Sequence, residues 1–150
     1  MKIKKYLQDS PIFALYEVSN VLTSSLNLQL SKEDLSFTQA LVLVAVLLDE
    51  KTKITPGEIA KGLGISKASL SQILSNLESR GFLKRTIKED DARSLSISLS
   101  TIGLKKANRI VKFLDTFELD LEKKLNLRKE FLVELQEFKN YLLISTQIKF

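Results

Sequence analysis

Residues 54–103 read ITPGEIAKGLGISKASLSQILSNLESRGFLKRTIKEDDARSLSISLSTIG. This stretch decides the fold, because two short helical segments meet at a glycine turn and two strand-like segments follow them. The TPGE sequence at residues 55–58 has the form of a capping box with proline at the first helical position. Gly64 suits the end of that helix, while Ser66 can cap the next one, which ends at Gly81. The order predicts a helix-turn-helix with a wing, a shape that fits the grooves of DNA.

The second helical segment has two chemically different faces. Its apolar residues recur at the helical spacing i, i+3, i+4 and i+7 and are Leu70, Ile73, Leu74 and Leu77. The opposite face carries small or hydrogen-bonding side chains, namely Ala68, Gln72, Ser75 and Ser79, flanked by Ser71 and Asn76. An ordinary exposed face carries Glu and Lys, whereas this composition suits close approach to base edges. A plain solvent-exposed face is the alternative interpretation.

The two strand-like segments predict a small hairpin. Residues 82–87 read as a first strand. Residues 94–99 alternate strictly, with Leu and Ile on one side and Ser on the other, which predicts a half-buried second strand. Residues 88–93 would form a polar tip, and we interpret the acids at 89–91 as a solvated turn rather than a metal site.

Helices flank this central stretch on both sides. A first helix is expected from about residue 9 to about residue 30, and a second begins at Ser36, where SFTQ has capping-box form. Its body, residues 41–48, is apolar on every side, as in a central buried helix. Ser100 is expected to cap a long helix, and a final helix starts near Arg128.

The first and last helices together would expose more apolar surface than a small central lobe could cover, and the last two helices each carry an apolar stripe. These stripes are Ile110, Leu114, Phe117 and Leu121, then Phe131, Leu135, Phe138 and Leu142. A second copy of the chain is the most economical partner for them. An intramolecular helical hairpin is the alternative.

Composition argues against most catalytic chemistry. The 150 residues include no Cys and no His, so thiol nucleophiles, the commonest general base and most transition-metal sites are excluded. No phosphate-binding glycine loop or paired-carboxylate arrangement replaces them. We therefore expect no enzyme, no cofactor and no metal.

Charge and hydropathy indicate where the protein acts. The formal net charge is +5, and residues 66–88 hold five basic residues against one acid, a local charge of +4. Such a basic segment is compatible with a nucleic acid partner. Residues 1–5 carry three lysines without a following apolar region, and the apolar run at 40–48 is too short to cross a bilayer. We expect a cytoplasmic protein that does not contact the membrane.

Three motifs carry a resemblance to a known family. They are GFLKR at 81–85, DAR at 91–93, and LS at 99–100 with Gly103. Together they resemble the strand–wing–helix signature of the MarR family of bacterial transcription regulators, in which Asp-x-Arg precedes Leu-Thr-x-x-Gly. The resemblance covers nearly the whole chain. It implies a mainly α fold with a small β-wing, in which a winged helix-turn-helix lobe joins a helical dimerisation lobe.

The resemblance also implies domain limits and an interface with DNA. Residues 1–150 would form one domain, with the winged helix-turn-helix at about 36–99 and the dimerisation helices at 9–35 and 100–146. The recognition helix would face the major groove through Ala68, Ser69, Ser71, Gln72 and Asn76. Ser66 and Lys67 would lie near phosphates at its N-terminus. Arg93 would enter the minor groove, oriented by Asp91.

Departures from the family pattern shape the expected specificity. Relatives often carry Arg at positions 72, 76 and 92, where this chain has Gln, Asn and Ala. Gln and Asn pair with adenine, and Ala68 can pack on a thymine methyl, so we expect A·T-rich half-sites. Dimer symmetry implies a pseudo-palindrome with half-site centres about 10 bp apart.

Ligand sensing is only partly constrained by the sequence. Family members that sense peroxide use Cys and members that sense zinc use His, and this chain has neither. Other members bind a small aromatic or anionic ligand between the dimer lobe and the DNA lobe. Tyr16 and Phe37 are the candidates for such a cleft here, with a core role as the alternative.

The leading functional hypothesis is a dimeric, sequence-specific DNA-binding transcription regulator, a repressor that a small ligand releases. The alternative is a winged-helix protein-interaction module without DNA binding. The sequence leaves open the operator, the regulated genes, the inducer and the choice between repression and activation.

Overall fold

The computed structural model describes residues 3, 7, 9–49, 54–88, 91–125 and 129–144. For residues 87, 88, 91–94 and 129 the description covers the backbone only. The chain divides into two compact units, residues 1–110 and residues 111–150. Each unit is described by itself.

Six helices and one hairpin make up the described chain. In order, they are α1 (Pro11–Leu30), a 3-10 turn (Ser31–Glu33), α2 (Phe37–Leu48), α3 (Pro56–Leu63), α4 (Lys67–Ser79), β1 (Leu83–Lys88), β2 (Asp91–Leu99), α5 (Thr101–Leu125) and α6 (Lys129–Ile144). The fold class predicted from the sequence, mainly α with a small β-wing, is confirmed.

Local capping chemistry fixes where the central helices start. The Ser36 hydroxyl accepts the Gln39 backbone N–H at 3.2 Å, and the Gln39 side chain accepts the Ser36 N–H at 2.8 Å. Thr55 and Glu58 form the same reciprocal pair, with distances of 3.3 and 2.7 Å. Ser66 caps α4. These bonds satisfy N–H groups that have no partner inside the helix, so the predicted starts are confirmed.

Glycines end the two helices of the helix-turn-helix. Gly64 follows α3 with a φ of 64°, and Gly81 follows α4 with a φ of 73°. A side chain at these left-handed positions would be strained, which glycine avoids. The glycine turn therefore allows α4 to leave α3 in a new direction.

Helix α2 and the apolar face of α4 form much of the first unit's core. Fully buried side chains of α2 are Ala40, Val42, Leu43 and Val46. From α4 come Leu70, Leu74 and Leu77, which are at most 2% exposed. The prediction of a helix buried on every side over residues 41–48 is confirmed only for one face, because Leu41, Val44, Ala45 and Leu47 are half-buried and Leu48 is 75% exposed.

The wing hairpin differs from its predicted form in length. β1 and β2 pair antiparallel from Leu83 opposite Leu99 to Ile87 opposite Leu95, and the register then shifts. β2 begins at Asp91, three residues earlier than predicted, so the polar tip is shorter than 88–93. Residues 89 and 90 lie outside the described part.

The predicted alternation of β2 is also wrong at two positions. Leu95 is 42% exposed, whereas Ser96 is only 3% exposed. Ser96 tolerates burial because its hydroxyl shares a hydrogen bond of 2.8 Å with the Thr86 hydroxyl and lies 3.3 Å from the Thr86 carbonyl oxygen. On the same strand, the Ile97 N–H donates to the Ile54 carbonyl at 3.1 Å.

The second unit contains the end of α5 and all of α6. The Phe113 and Phe117 rings contact each other with centroids 6.3 Å apart. The α6 side chains of the predicted stripe are not buried, because Phe131 is 46% and Leu142 is 49% exposed. This unit therefore presents a broad apolar surface in the single chain.

Candidate nucleic-acid interface

The exposed face of α4 collects the side chains predicted to read DNA. The residues that share this exposure are Ala68, Ser69, Ser71, Gln72 and Asn76. Behind them, Leu70, Leu74 and Leu77 anchor the helix in the core. Because a helix turns once every 3.6 residues, burial of one face holds the opposite face in a fixed orientation.

The N-terminus of α4 is organised by two serines. The Ser66 hydroxyl accepts the Ser69 backbone N–H at 3.0 Å, and the two hydroxyl oxygens lie 2.8 Å apart. The Ser69 hydroxyl is therefore engaged within the protein. Lys67 follows the cap with an exposed side chain.

Asn76 is tied to a helix outside the helix-turn-helix. Gln39 Nε2, at the start of α2, donates to Asn76 Oδ1 at 3.1 Å. By contrast, the Gln72 side chain has no hydrogen-bond partner within the described part of the chain. Of the two side-chain amides expected to read bases, the protein therefore orients that of Asn76 and leaves that of Gln72 without a described partner.

Arg85 joins the wing to α4. Its Nη2 donates to the Ser75 hydroxyl at 2.9 Å, and its Nε lies 2.9 Å from Glu78 Oε2. The second contact is an ion pair that does not meet hydrogen-bond geometry. Because this guanidinium is paired with a carboxylate, it contributes little to the positive charge of the segment.

Arg80 and Lys106 both contact the Phe82 ring. The Arg80 guanidinium lies 4.9 Å from the ring centroid and also donates to the Asp34 carbonyl at 2.7 Å. The Lys106 ammonium lies 5.6 Å from the same centroid. Such cation–π contacts hold the start of β1 in place. Arg80 is therefore engaged within the protein but keeps its charge, and the local charge of +4 already subtracts Glu78.

The carboxylate of Glu33, in the turn after α1, forms ion pairs with two basic residues of α5. The Lys106 ammonium donates to Glu33 Oε2 at 2.6 Å, and the Arg109 guanidinium donates to Glu33 Oε1. The hydrogen bond from Lys106, with the positive charge of both partners, lowers the pKa of Glu33 although burial acts to raise it. Glu33 is therefore held in its charged form.

A groove of about 340 Å³ opens between α3, α4 and the wing. Its lining residues are Pro56, Gly57, Lys67, Leu70, Ser71, Leu74, Arg85 and Leu95. The predicted ligand residues lie elsewhere. Tyr16 is 66% exposed on α1 of the single chain, so it lies outside the core of the first unit, and Phe37 is half-buried at the start of α2.

The predicted minor-groove pair lies on the wing. Asp91 and Arg93 belong to β2, but their side chains are outside the described part, so the proposed contact between them stays a prediction. Within the described ranges, no group of three or more His, Cys, Asp or Glu side chains could hold a metal ion. No described helix is long and apolar enough to span a bilayer.

Comparisons with known sequences point to one family. A sequence profile of the MarR family matches residues 33–94. The HTH-type transcriptional regulator SarZ of Staphylococcus saprophyticus is 27% identical over 132 residues, which cover 85% of this chain and 86% of that protein. SarZ of Staphylococcus aureus is 31% identical over 98 residues and 65% of each chain. In that second pairing the chain spans just under two thirds of its relative.

Solved structures share the fold over most of their length. A DNA complex of MepR from S. aureus superposes with a TM-score of 0.79 at 21% identity, covering 92% of this chain and 97% of that one. The reduced form of MarR from Escherichia coli gives a TM-score of 0.65 at 24% identity, covering 89% and 96%. These similarities establish the winged-helix architecture.

Proposed function

Since this chain belongs to the MarR family of winged helix-turn-helix proteins, we propose that it is a sequence-specific DNA-binding transcription regulator. The observation that carries the proposal is the exposed face of α4. It presents uncharged side chains with hydrogen-bonding capacity on a helix that is anchored by buried leucines. A rigid helix with such a face suits the major groove.

Base reading is assigned to the middle of α4. Gln72 is exposed and free of protein hydrogen bonds within the described chain, so both its donor and its acceptor are available to adenine N7 and N6. Ala68 and Ser71 are exposed on the same side, and Ala68 can pack against a thymine methyl. We accordingly propose A·T-rich half-sites.

Contacts that position the protein on the DNA are assigned to the N-terminus of α4 and to the wing. Ser66 and Lys67 are exposed at the N-terminus of α4, where unpaired N–H groups favour a phosphate. Arg93, oriented by Asp91, is proposed to enter the minor groove from the wing. Such contacts position the protein without carrying much sequence information.

Dimerisation is proposed from the uncovered apolar surface of each unit. On α1 the exposed large apolar side chains include Ile12, Tyr16, Val18, Val21 and Leu28. On α6 they include Phe131, Leu132, Val133, Leu142 and Ile144. A monomeric protein rarely exposes so many large apolar side chains on one helix, and a second copy is the simplest cover. Two α4 helices would then read a pseudo-palindrome with half-site centres about 10 bp apart.

The regulatory role follows from the same proposal. A dimer bound across a promoter blocks access to it, so we propose repression, with release by a small aromatic or anionic ligand near Tyr16 and Phe37. We propose no catalytic role. A winged-helix module that binds another protein is the alternative if DNA binding fails.

The test is binding to the promoter upstream of the protein's own gene, measured by fluorescence anisotropy against a scrambled duplex. We expect specific binding that weakens with salt. Gln72→Arg should move the preference toward guanine at one position in each half-site by about 1–3 kcal/mol. Asn108→Arg on α5 adds the same charge at an exposed position assigned neither to the DNA interface nor to the dimer surface, and should leave the preference unchanged. Failure to bind any duplex would favour the protein-interaction module.

A further inference from the structure

We infer that Gln39, a residue of α2, determines which base Asn76 reads. It does so by fixing the direction of the Asn76 side-chain amide. This inference rests on the proposed function, because it assigns a specificity-determining residue to the same DNA interface. It is carried by a short chain of hydrogen bonds that begins at the cap of α2.

The first step is the orientation of the Gln39 amide. The Ser36 backbone N–H lies 2.8 Å from Gln39 Oε1. A backbone N–H can only donate, so the amide atom that faces it must be the oxygen. The oxygen and nitrogen of an amide are otherwise difficult to distinguish, but here the capping box distinguishes them.

The second step transfers this orientation to Asn76. With its oxygen at the cap, Gln39 turns its nitrogen toward Asn76, at a distance of 3.1 Å. An amide nitrogen has donors and no acceptor, so the Asn76 atom that faces it must be Oδ1. Since the two amide atoms of Asn76 diverge from one carbon, the contact that directs Oδ1 toward α2 directs Nδ2 away from it.

The third step concerns the base edge. Bidentate pairing with adenine requires an asparagine whose oxygen and nitrogen both face N6 and N7 of the same base. Asn76 instead offers two N–H donors from an exposed position on α4. It should therefore select acceptors in the major groove, which are O6 and N7 of guanine, O4 of thymine and N7 of adenine, and disfavour cytosine, which presents the N4 donor. Asn76 then has no bidentate preference for adenine, whose N7 is one acceptor among several, and adenine and thymine remain compatible with an A·T-rich half-site.

Gln39→Glu tests the inference with minimal change of shape. A glutamate at this position keeps the capping box, because its carboxylate still accepts the Ser36 N–H. It offers no donor to Asn76, whose amide must then reverse so that Nδ2 donates to the carboxylate. The outward atom becomes an acceptor, which suits N4 of cytosine or N6 of adenine.

The measurement is a selection on random duplexes with the wild type and the variant. We expect cytosine at the base that faces Asn76 to gain roughly tenfold in affinity relative to thymine and guanine. Adenine, which presents both the N7 acceptor and the N6 donor, should be accepted by both proteins. Other positions of the half-site should keep their preference. An unchanged preference at every position, with binding retained, would overturn the inference and leave the proposed function standing.

Gln29→Glu is the matched control. Gln29 is exposed on α1, and among the described contacts its side chain accepts a hydrogen bond only from Lys32, at 3.1 Å. The substitution adds the same negative charge, so any general loss of affinity for phosphates can be compared between the two variants. A preference change that also appeared with Gln29→Glu would be a charge effect and would count against the role of Gln39.

A second measurement does not need DNA. In the free protein, NMR can follow solvent exchange of the Asn76 side-chain amide protons. Exchange should be fast in the wild type and slower in Gln39→Glu, where one proton is donated to the carboxylate. Equal exchange in both proteins would refute the inference. If the wild type selects no duplex in the first experiment, the proposed function fails, and the inferred base preference fails with it.

Discussion

Gly103→Ala tests the junction between the wing and α5. At this junction the Ser100 N–H donates to the Phe82 carbonyl at 3.0 Å, and the Ser100 hydroxyl donates to the Gly81 carbonyl at 2.6 Å. The same hydroxyl accepts the Gly103 N–H at 3.0 Å. These bonds hold the first turn of α5 against the backbone of Phe82. A Cβ added to Gly103 would lie 1.9 Å from the Phe82 carbonyl oxygen.

The cost of this substitution follows from the distances. Real Cβ atoms essentially never approach closer than 3.0 Å, so the backbone at Phe82 would have to move by about 1.1 Å. Overpacking of this kind costs about 1–3 kcal/mol, and alanine returns up to about 1 kcal/mol through its higher helix propensity. We expect the free energy of unfolding to fall by about 2 kcal/mol. The displaced Phe82 would also lose its place beside Arg80 and Lys106.

Urea unfolding followed by circular dichroism provides the assay. Gly62→Ala is the control, because Gly62 lies inside α3 with nothing within 4 Å of its added Cβ. That variant should gain up to about 1 kcal/mol. Protomer concentration must be equal in all samples, since association stabilises the folded state. A Gly103→Ala protein as stable as the wild type would refute the packing argument.

Three further perturbations test other parts of the molecule. Glu33→Gln should lower the free energy of unfolding by about 1 kcal/mol at neutral pH. Because its lysine partner lowers the pKa of Glu33 in the folded state, this difference should exist above pH 4.5 and vanish as the pH falls through the lowered pKa. A difference that persisted in acid would contradict the ion-pair origin. Replacing both Leu135 and Phe138 by Glu should abolish the proposed dimer, because unpaired charges are costly to bury. A double variant that sediments as a dimer of native size would contradict that interface. Arg93→Ala should weaken binding to all duplexes and reduce the salt slope by about one unit, whereas unchanged affinity at low salt would exclude the wing contact.

The elements that sequence predicted well depend on local interactions. The caps at Ser36, Thr55 and Ser66 each involve residues three positions apart, so their chemistry is visible in the sequence. The burial of Leu70, Leu74 and Leu77 follows from the helical period, although Ile73 of the same predicted stripe is only half-buried. Gly64 was predicted for a similar reason, because a helix end that needs positive φ favours glycine.

The remainder depends on contacts between distant segments. Gln39 and Asn76 are 37 positions apart, and neither the capping box nor the helical period indicates that they meet. The burial of Ser96 was missed because its hydroxyl is satisfied by Thr86 across the hairpin, whereas alternation alone assigns serines to solvent. The ion pair between Arg85 and Glu78 likewise joins β1 to α4, and neither pattern in the sequence indicates that contact.

The contacts of Arg85 with Ser75 and Glu78 fix the distance between β1 and α4. If the wing lies in the minor groove while α4 lies in the major groove, the protein accepts only a narrow range of spacings between the two grooves. Minor-groove width varies with base sequence and is small in A-tracts. Base pairs that no side chain touches would then influence affinity, because they determine whether both grooves can be occupied at once.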